Sequence, residues 1–313
     1  MSIKVVVGLD TSNYTTSCAV CDLNGTVLQN YKQLLPVKEG ERGLRQSDAV
    51  FAHVKNFQVI SSIIKEKHAD YEIVAVGYSA FPRDSVGSYM PCFLVGKAVA
   101  EMISALYSIP SFYFSHQAGH IQAAIYSAGI ETPSRFVAFH ISGGTTEIVY
   151  ASPNDNGFDI SLLGGSIDLH AGQAIDRIGV KMGLSFPCGR EIEALALKNT
   201  KKIPGYKVCV NDLNCNLSGL ENMAVALFEK TQDKALVSAF ALDFLSTVIC
   251  KLTQNVRKIY GDVKVIFSGG VMSNKIIQNN IAKKFENVYF AQPEFSSDNA
   301  SGIAILTKKQ FLK

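Results

Sequence analysis

The chain has 313 residues and a formal net charge of +3, with 47% hydrophobic and 18% charged residues. This composition excludes a disordered chain, and the weak positive charge is compatible with an RNA partner without requiring one. The length exceeds the usual size of a single domain, so we expect two lobes.

The cysteines and the amino terminus indicate in which cellular compartment the protein works. Seven cysteines are scattered through the chain, an odd number that favours a reducing environment. Cys18 and Cys21 form a CxxC, but residues three apart on a strand face opposite sides, which argues against a metal site there. No signal-peptide layout is visible, and the apolar stretches are broken before they reach the length of a membrane span. We therefore expect a cytoplasmic protein without a membrane partner.

Turn signals and apolar periodicity in the first part of the chain predict a ribonuclease-H-like lobe over residues 1–130. The segment 5–20 is β-rich and leads through the hairpin signal Asp22-Leu23-Asn24-Gly25-Thr26 into a second strand. Apolar residues three or four apart then predict a helix, followed by a short strand and another helix. The predicted elements after the hairpin are a strand over 27–32, a helix over 47–67, a strand over 73–78 and a helix over 95–106.

A similar order of predicted strands and helices begins again near Arg135 and predicts a second lobe over residues 131–313. Its last helix is expected to pack back on the first lobe. The repeated plan predicts a cleft between the lobes, a common place for a ligand. The predicted strands cover 136–141, 147–151, 158–163 and 263–267, and the predicted helices cover 171–182, 189–198 and 234–260.

Three turns rich in glycine and hydroxyl groups follow predicted strands: Gly8-Leu9-Asp10-Thr11-Ser12, Ser142-Gly143-Gly144-Thr145-Thr146 and Ser268-Gly269-Gly270-Val271-Met272-Ser273-Asn274. Small residues let backbone N–H groups approach phosphate oxygens, and hydroxyls donate further hydrogen bonds. A single turn of this kind is more often only a tight turn. Three together predict nucleotide binding, although the P-loop and Rossmann patterns are missing from the sequence.

His116 and His120 are four residues apart, so on a helix they share one face and could bind one metal ion. The alternative is one capping and one partly buried histidine. Asp298 precedes an apolar helix and could be a third ligand, or simply the N-cap of that helix. No glutamate lies between the histidines, so the zinc-protease pattern with its general base is not present.

These segments resemble the TsaD/Gcp (Kae/Qri-type) tRNA threonylcarbamoyltransferase family. The resemblance begins with His116-x-x-Gly119-His120 and Pro293-Glu294-Phe295-x-x-Asp298-Asn299-Ala300. Further similar segments occur in the same order as in the family: Asp10-Thr11-Ser12, Leu94-Val95-Gly96, Ile141 to Thr146, Asp168 to Asp176, Gly183 to Gly189, Leu217 to Leu220 and Gly269 to Asn274. The resemblance implies an α/β fold with two ribonuclease-H-like lobes of the actin/hexokinase/heat-shock-chaperone superfamily and an interlobe cleft.

The resemblance also implies an activity. Family members transfer the threonylcarbamoyl group from threonylcarbamoyl-AMP to N6 of adenosine 37 in tRNAs that read ANN codons. One divalent ion per subunit, Fe²⁺ or Zn²⁺, would be held by His116, His120 and Asp298. Asp10, Thr11 and Ser12 would form a phosphate turn. The residues expected to bind threonylcarbamoyl-AMP, or ATP or ADP, are His140, Ile141, Ser142, Gly143, Gly144, Asp176, Gly189 and Asn274.

The expected partners are tRNA and TsaB-like and TsaE-like proteins. Contacts to tRNA phosphates could come from lysines in two segments, although short lysine runs are usually only solvated surface. These lysines are Lys198, Lys201, Lys202 and Lys207 in the first segment and Lys308, Lys309 and Lys313 in the second.

The chain departs from the family at three places. Ala118 stands where the histidine motif normally has glutamate, Thr145 where the phosphate turn has histidine, and Phe81-Pro82-Arg83-Asp84-Ser85 where the first lobe has Gly-Pro-Gly. A divergent paralogue is therefore an alternative, acting as a non-catalytic partner or as a small-molecule carbamoyltransferase or kinase. A metallopeptidase is a further alternative. The three retained metal ligands argue against the non-catalytic partner, and the missing glutamate argues against the peptidase.

Overall fold

The computed structural model describes residues 2–36, 44–67 and 70–313. The strands are β1 (Ile3–Thr11), β2 (Thr15–Asp22), β3 (Val27–Leu34), β4 (Tyr71–Phe81), β5 (Ser111–Ser115), β6 (Phe136–Ile141), β7 (Thr146–Asn154), β8 (Gly157–Ser166), β9 (Cys209–Asn211), β10 (Asn214–Asn216), β11 (Lys264–Ser268) and β12 (Val288–Phe290). The α-helices are α1 (Gln46–Lys67), α2 (Phe93–Tyr107), α3 (His116–Ser127), α4 (Ala171–Lys181), α5 (Gly189–Ala196), α6 (Ser218–Thr231), α7 (Lys234–Tyr260), α8 (Lys275–Ala282), α9 (Pro293–Ser296) and α10 (Ser301–Phe311).

The described residues form two compact units. Unit 1 contains the residues up to Thr132 together with Pro153–Asp159 and Ser297–Lys313, so α10 belongs to it. Unit 2 contains Pro133–Ser152 and Ile160–Ser296. Unit 2 is thus inserted in the sequence of unit 1.

The sheet of unit 1 has the strand order β3-β2-β1-β4-β5. Strands β1, β2 and β3 pair antiparallel, whereas β4 and β5 continue the sheet parallel to β1. Adjacent residues of β1 face different cores, because side chains alternate along a strand. Val7 packs in a cluster with residues of α1 and α2, and Val6 packs with residues of α10. Helices therefore cover both faces of the sheet. This agrees with the burial of β1, in which every residue from Val5 to Thr11 is buried.

Cys18 and Cys21 lie on β2 and belong to these two different clusters, which confirms that they face opposite sides. Both side chains are buried. Burial raises the pKa of each thiol to about 12, so both remain protonated at neutral pH.

The larger sheet of unit 2 repeats the same plan. Its order is β12-β11-β6-β7-β8-β10-β9. Within it β8-β7-β6-β11-β12 follows the order of unit 1, with β6 antiparallel to β7 and parallel to β11. Helices α4, α5, α6, α7 and α8 contribute side chains to one large core cluster with this sheet. The duplicated ribonuclease-H-like arrangement is the reason why two sets of strand ends can carry functional residues.

Helix α7 is the only helix of the described residues that is long and apolar enough to cross a membrane. However, 78% of its apolar window is buried inside the protein. This is the pattern of a helix buried in a domain core, and Phe240, Phe244 and Val248 of this helix belong to the main core cluster of unit 2.

All five helices whose bounds were predicted are confirmed, and their ends differ from the predicted ones by at most two residues. The β-rich segment 5–20 is two strands, because the chain turns at residues 12–14 and forms an antiparallel pair. The three-residue strands β9, β10 and β12 were not predicted. They are too short to show a periodic pattern.

Helix α10 packs closely on α3, and a glycine makes this approach possible. A Cβ atom at Gly302 would overlap with the backbone oxygen of Gly119. Gly119 lies between the two histidines of α3, and Asp298 lies three residues before α10. The close packing of these two helices therefore holds the three predicted metal ligands in one region of unit 1.

We expect Gly302→Ala to lower the free energy of unfolding by about 1–3 kcal/mol, because the backbone of α3 must move to admit the methyl group. Alanine favours helices over glycine, so a loss of stability cannot come from helix propensity. Urea denaturation measures the change. Gly205→Ala is the control, since no atom lies within 4 Å of a Cβ there. Equal stability of the two variants would contradict the packing argument.

Asp168 joins the end of β8 to the start of α6. Its Oδ1 accepts hydrogen bonds from the backbone N–H groups of Leu169 at 2.6 Å and Leu217 at 2.8 Å. Its Oδ2 accepts from the hydroxyl of Ser218 at 2.6 Å and from the backbone N–H of the same residue at 3.2 Å. Burial would raise the pKa of this carboxyl, but the hydrogen bonds outweigh it and hold the pKa well below its usual range.

A lowered pKa in the folded state means that Asp168 stabilises the fold above the pKa of the unfolded chain, which is about 4. We expect Asp168→Asn to cost about 1 kcal/mol at neutral pH. The difference from the wild type should shrink as the pH falls below about 4, because the carboxyl of the unfolded wild-type chain then takes up a proton while that of the folded chain stays ionised.

Urea denaturation over a pH series tests this prediction. Asp155→Asn is the control, because that side chain is fully exposed beside Lys313 and contributes little. A difference that stayed constant to the lowest pH would show that the charge of Asp168 is not what stabilises the fold.

Candidate metal centre and nucleotide site

The histidine pair lies on α3, as predicted. The hydroxyl of Ser115 caps this helix by accepting a hydrogen bond from the backbone N–H of Ala118 at 3.1 Å. His116 is the first residue of the helix and His120 lies one turn later on the same face. Their Nε2 atoms are 2.9 Å apart.

Asp298 approaches the pair from the segment before α10. Its Oδ1 is 3.1 Å from Nε2 of His120 and 3.7 Å from Nε2 of His116. The alternative role of Asp298 as a helix N-cap is not observed, because the helix begins after Ala300 without a side-chain cap. It is Asn299 that accepts a hydrogen bond from the backbone N–H of Ser301.

The three donor atoms fit a metal ion. They lie within 4.8 Å of one another, and their separations of 2.9, 3.1 and 3.7 Å bracket the edge of a tetrahedral site. That edge is about 3.3 Å for metal–ligand bonds of about 2.0–2.1 Å. Two imidazoles and one carboxylate suit zinc or ferrous iron. The ligand side chains are 15–23% exposed, so a substrate group can reach them.

A buried carboxylate holds the first histidine. Asp10 is 1% exposed, and its Oδ1 accepts a hydrogen bond of 2.8 Å from Nδ1 of His116. This bond leaves the lone pair of Nε2 facing the other two ligands, as in the carboxylate–histidine–metal arrangement. Ser12 donates a hydrogen bond of 3.2 Å to Oδ2 of Asp298, which orients the carboxylate ligand. Asp10 and Ser12 therefore support two of the three candidate ligands.

These contacts go beyond the sequence-based interpretation, which assigned Asp10, Thr11 and Ser12 to a phosphate turn. Thr11 accepts a hydrogen bond from the backbone N–H of Gly96 at 3.2 Å. The partnership of Asp10 with His116 was missed, because 106 residues separate them. The available signal was a carboxylate at the end of a buried strand, where an unpaired charge would be costly.

The charges of the pair are coupled. Burial would raise the pKa of Asp10, but the charge and hydrogen bond of His116 hold it below its usual value. Burial would lower the pKa of His116, but the Asp10 carboxylate raises it to about 9. Without a metal, the two residues therefore form an imidazolium–carboxylate pair at neutral pH. A metal ion would replace the proton on Nε2.

The predicted phosphate turn lies in unit 2, between β6 and β7. The backbone N–H of Ser142 donates to the carbonyl of Thr145 at 2.7 Å, which closes the turn. Gly143 and Gly144 are exposed and have no atom within 4 Å of a Cβ position. The chain at these two glycines therefore lies at the surface, with space beside it.

The start of α4 packs directly against this turn. The backbone N–H of Gly172 donates to the carbonyl of Ser142 at 3.1 Å, and that of Ala171 donates to the hydroxyl of Thr146 at 2.9 Å. A Cβ atom at Gly172 would lie 2.7 Å from the backbone nitrogen of Gly143. Glycine at 172 thus lets the positive end of a helix touch the turn, an arrangement that favours anions.

Two further predicted substrate residues lie on or beside this turn. His140, on β6, has its Nδ1 3.1 Å from the hydroxyl of Ser268 at the end of the neighbouring strand β11. The side chain of Ile141 is buried in the core with 1% exposure. Only the backbone of Ile141 could contact a ligand.

The remaining predicted substrate residues have structural partners in unit 2. Asp176 on α4 accepts a hydrogen bond of 2.8 Å from the backbone N–H of Cys188, directly before Gly189 and α5. Burial raises the pKa of this carboxyl, and the hydrogen bond opposes the shift. Asn274 caps α8 through the backbone N–H of Ile277 at 3.1 Å.

Comparison with solved structures identifies the fold. Component A of the (R)-2-hydroxyglutaryl-CoA dehydratase of Acidaminococcus fermentans matches with a TM-score of 0.56 and 13% identity, covering 99% of both chains. A ROK family glucokinase from Streptomyces griseus in complex with glucose and AMPPNP matches with a TM-score of 0.53 and 12% identity, covering 97% of this chain and 99% of the other. The chain has the α/β fold of the actin/hexokinase/heat-shock-chaperone superfamily, with two ribonuclease-H-like lobes, as the sequence predicted.

Sequence comparison then gives the family. Residues 39–305 match the family described as TsaD, tRNA N6-adenosine threonylcarbamoyltransferase. The protein of that name from Streptococcus thermophilus is 27% identical over 321 residues, which cover 97% of this chain and 91% of the relative. The chain belongs to the TsaD family, and the resemblance inferred from its motifs is confirmed.

Because Asp10 fixes the orientation of His116, we expect Asp10→Asn to weaken Zn²⁺ binding by about 10–100-fold. The amide keeps the size of the side chain but removes the charge that favours a proton on Nδ1. Competition with a chromophoric chelator measures the dissociation constant. Asp22→Asn, at the end of β2 in the same sheet, is the control. Unchanged affinity in Asp10→Asn would contradict the assigned role.

Proposed function

We propose that this chain transfers the threonylcarbamoyl group from threonylcarbamoyl-AMP to N6 of adenosine 37 in tRNAs that read ANN codons. The observation that carries the proposal is the His116–His120–Asp298 cluster in a chain of the TsaD family. An acyl transfer of this kind needs a group that polarises the carbonyl and a site that holds the leaving phosphate.

The proposal assigns the metal site to unit 1. His116, His120 and Asp298 would hold one Fe²⁺ or Zn²⁺ per subunit. A bound divalent ion would act as a Lewis acid on the carbonyl of the threonylcarbamoyl group. Asp10 keeps the proton on Nδ1 of His116, and Ser12 fixes the second oxygen of Asp298. These contacts preserve the ligand geometry while the ligand side chains remain partly exposed.

The proposal assigns the adenylate to unit 2. The exposed backbone of Gly143 and Gly144, next to the start of α4, would bind the phosphate. Asp176 would accept hydrogen bonds from the ribose hydroxyls through the oxygen that does not bind Cys188. Gly189 and Asn274 would contact the sugar and base. The same residues could bind ATP or ADP, which share the adenosine.

The reaction is proposed to be a direct transfer. The N6 amine of adenosine attacks the carbonyl carbon, a C–N bond forms, the anhydride C–O bond breaks, and AMP leaves as the amine loses a proton. The sequence contains no recognisable Ser–His–Asp or Cys–His set, which favours direct attack over a covalent enzyme intermediate. An adenine amine becomes accessible when the base is turned out of its stack.

Some of the lysines suggested for tRNA contacts already bind other side chains of this protein, which makes them less suitable. Lys201 pairs with Asp233, Lys309 donates to Gln122 and Thr132, and Lys313 pairs with Asp155. We therefore propose phosphate contacts at Lys198, Lys202 and Lys207 of unit 2 and at Lys308 of unit 1. Such contacts would make binding weaken with salt.

TsaB-like and TsaE-like proteins are the proposed partners, and a cytoplasmic location follows from the tRNA substrate. Co-purification from the native cell tests the partnership. Failure to recover a TsaB-like protein, under conditions that preserve other complexes, would count against it.

The central prediction concerns unmodified ANN-reading tRNA incubated with this protein, its partners, threonine, bicarbonate, ATP and a TsaC-type enzyme. Mass spectrometry of the nucleosides should detect threonylcarbamoyladenosine. The product should disappear with His116→Ala/His120→Ala, because the carbonyl is then no longer polarised. We expect a loss of at least about 10³-fold in rate.

Arg177→Ala is a matched control on the exposed face of α4, where the side chain pairs with Glu221. It should retain activity. No product with the wild type, while a TsaD protein is active in the same tube, would overturn the proposal. The altered positions Ala118, Thr145 and Phe81 to Ser85 would then favour a small-molecule carbamoyltransferase or kinase. Assays with carbamoyl phosphate and ATP, without tRNA, would detect that activity.

A further inference from the structure

The segment Phe81 to Ser85 begins at the last residue of β4 and is one of the three places where this chain departs from the family. We call it the 81–85 turn. The backbone N–H of Ser85 donates to the carbonyl of Arg83 at 2.9 Å, so the turn is closed on itself. Asp84 is exposed, whereas Ser115, which it contacts, is 1% exposed. The turn therefore reaches from the surface to the buried start of α3.

Two hydrogen bonds join the 81–85 turn to α3. The hydroxyl of Ser115 donates to Oδ2 of Asp84 at 2.5 Å. The backbone N–H of Gln117 donates to the carbonyl of Pro82 at 3.1 Å. His116 lies between these two anchored residues, so its backbone is held on both sides by the same turn.

The hydroxyl of Ser115 has two roles that depend on each other. It donates its proton to Asp84 and accepts a hydrogen bond from the backbone N–H of Ala118. A hydroxyl has one proton, and the charged acceptor fixes where that proton points. The lone pairs of the oxygen are thereby directed to the helix. Without Asp84, the hydroxyl is free to rotate and the first turn of α3 loses part of its cap.

We propose that Asp84 is a positioning residue for His116. It acts through Ser115, and it does not contact the candidate metal ligands itself. The 81–85 turn thus sets the backbone of the first ligand, while Asp10 sets the orientation of its ring. This inference rests on the proposed metal site.

The Zn²⁺ dissociation constant of the purified full chain, measured by chelator competition, tests this role. We expect Asp84→Ala to weaken binding by about tenfold. Asp84→Asn should lie closer to the wild type, because its amide oxygen can still accept from Ser115. The control is Asp233→Ala, which removes the cap of α7 in unit 2 and should lower stability without changing Zn²⁺ affinity.

Hydrogen exchange of the metal-free protein supplies a second measurement. The amide of Ala118 should exchange faster in Asp84→Ala than in the wild type, because its acceptor is no longer fixed. Unchanged exchange at this amide would overturn the inference. So would a loss of Zn²⁺ affinity of equal size in Asp233→Ala, which would reflect general stability.

The two proposals fail in different ways. Normal Zn²⁺ binding by the wild type that is lost in His116→Ala but unchanged in Asp84→Ala would overturn only the role of Asp84. Wild-type binding no stronger than that of His116→Ala would overturn the metal site itself, and the role of Asp84 with it.

Discussion

The hydrogen bond between Asp10 and His116 is the interaction on which the unit 1 site depends. A carboxylate that is 1% exposed at the end of a central strand is costly unless a positive or strongly donating group offsets it. His116 supplies that group and is at the same time a candidate metal ligand. The fold and the site therefore constrain each other. A substitution of Asp10 by an uncharged residue could suit the core, but the imidazole of His116 would lose the group that orients it. A substitution of His116 would leave the buried carboxylate of Asp10 without its partner.

The duplicated sheet explains why the candidate residues lie where they do. In unit 1, Asp10 comes at the end of β1 and His116 directly after β5. In unit 2, Ser142 follows β6 and Ser268 ends β11. The carboxyl ends of parallel strands carry the functional residues of open α/β sheets, because the loops there are free to change while the sheet stays fixed. The same strand order thus positions the candidate metal ligands in one unit and the proposed phosphate turn in the other.

Much of this arrangement could be predicted from the sequence. The helix bounds follow from apolar spacing, and the i, i+4 spacing of His116 and His120 fixes a shared face once α3 forms. Asp298 could be chosen as a metal ligand only by resemblance to the family, since its local sequence alone favours an N-cap. The bond between Asp10 and His116 could not be predicted, because it depends on the position of β5 in the sheet. The contact of Asp84 with Ser115 could not be predicted either, because 31 residues separate the two side chains.

The order of the chain has a consequence for how the metal site comes into being. His120 and Asp298 are 178 residues apart, and the sequence of unit 2 lies between them. A chain emerging from the ribosome has the histidines long before it has the aspartate. Unit 2 has an almost continuous sequence and its own core, so it can fold while unit 1 is still incomplete. The set of three candidate ligands is then completed only at a late step. An ion that joins such distant positions would also restrict the unfolded chain and so stabilise the folded one. This stabilisation would grow with the logarithm of the number of residues between the ligands.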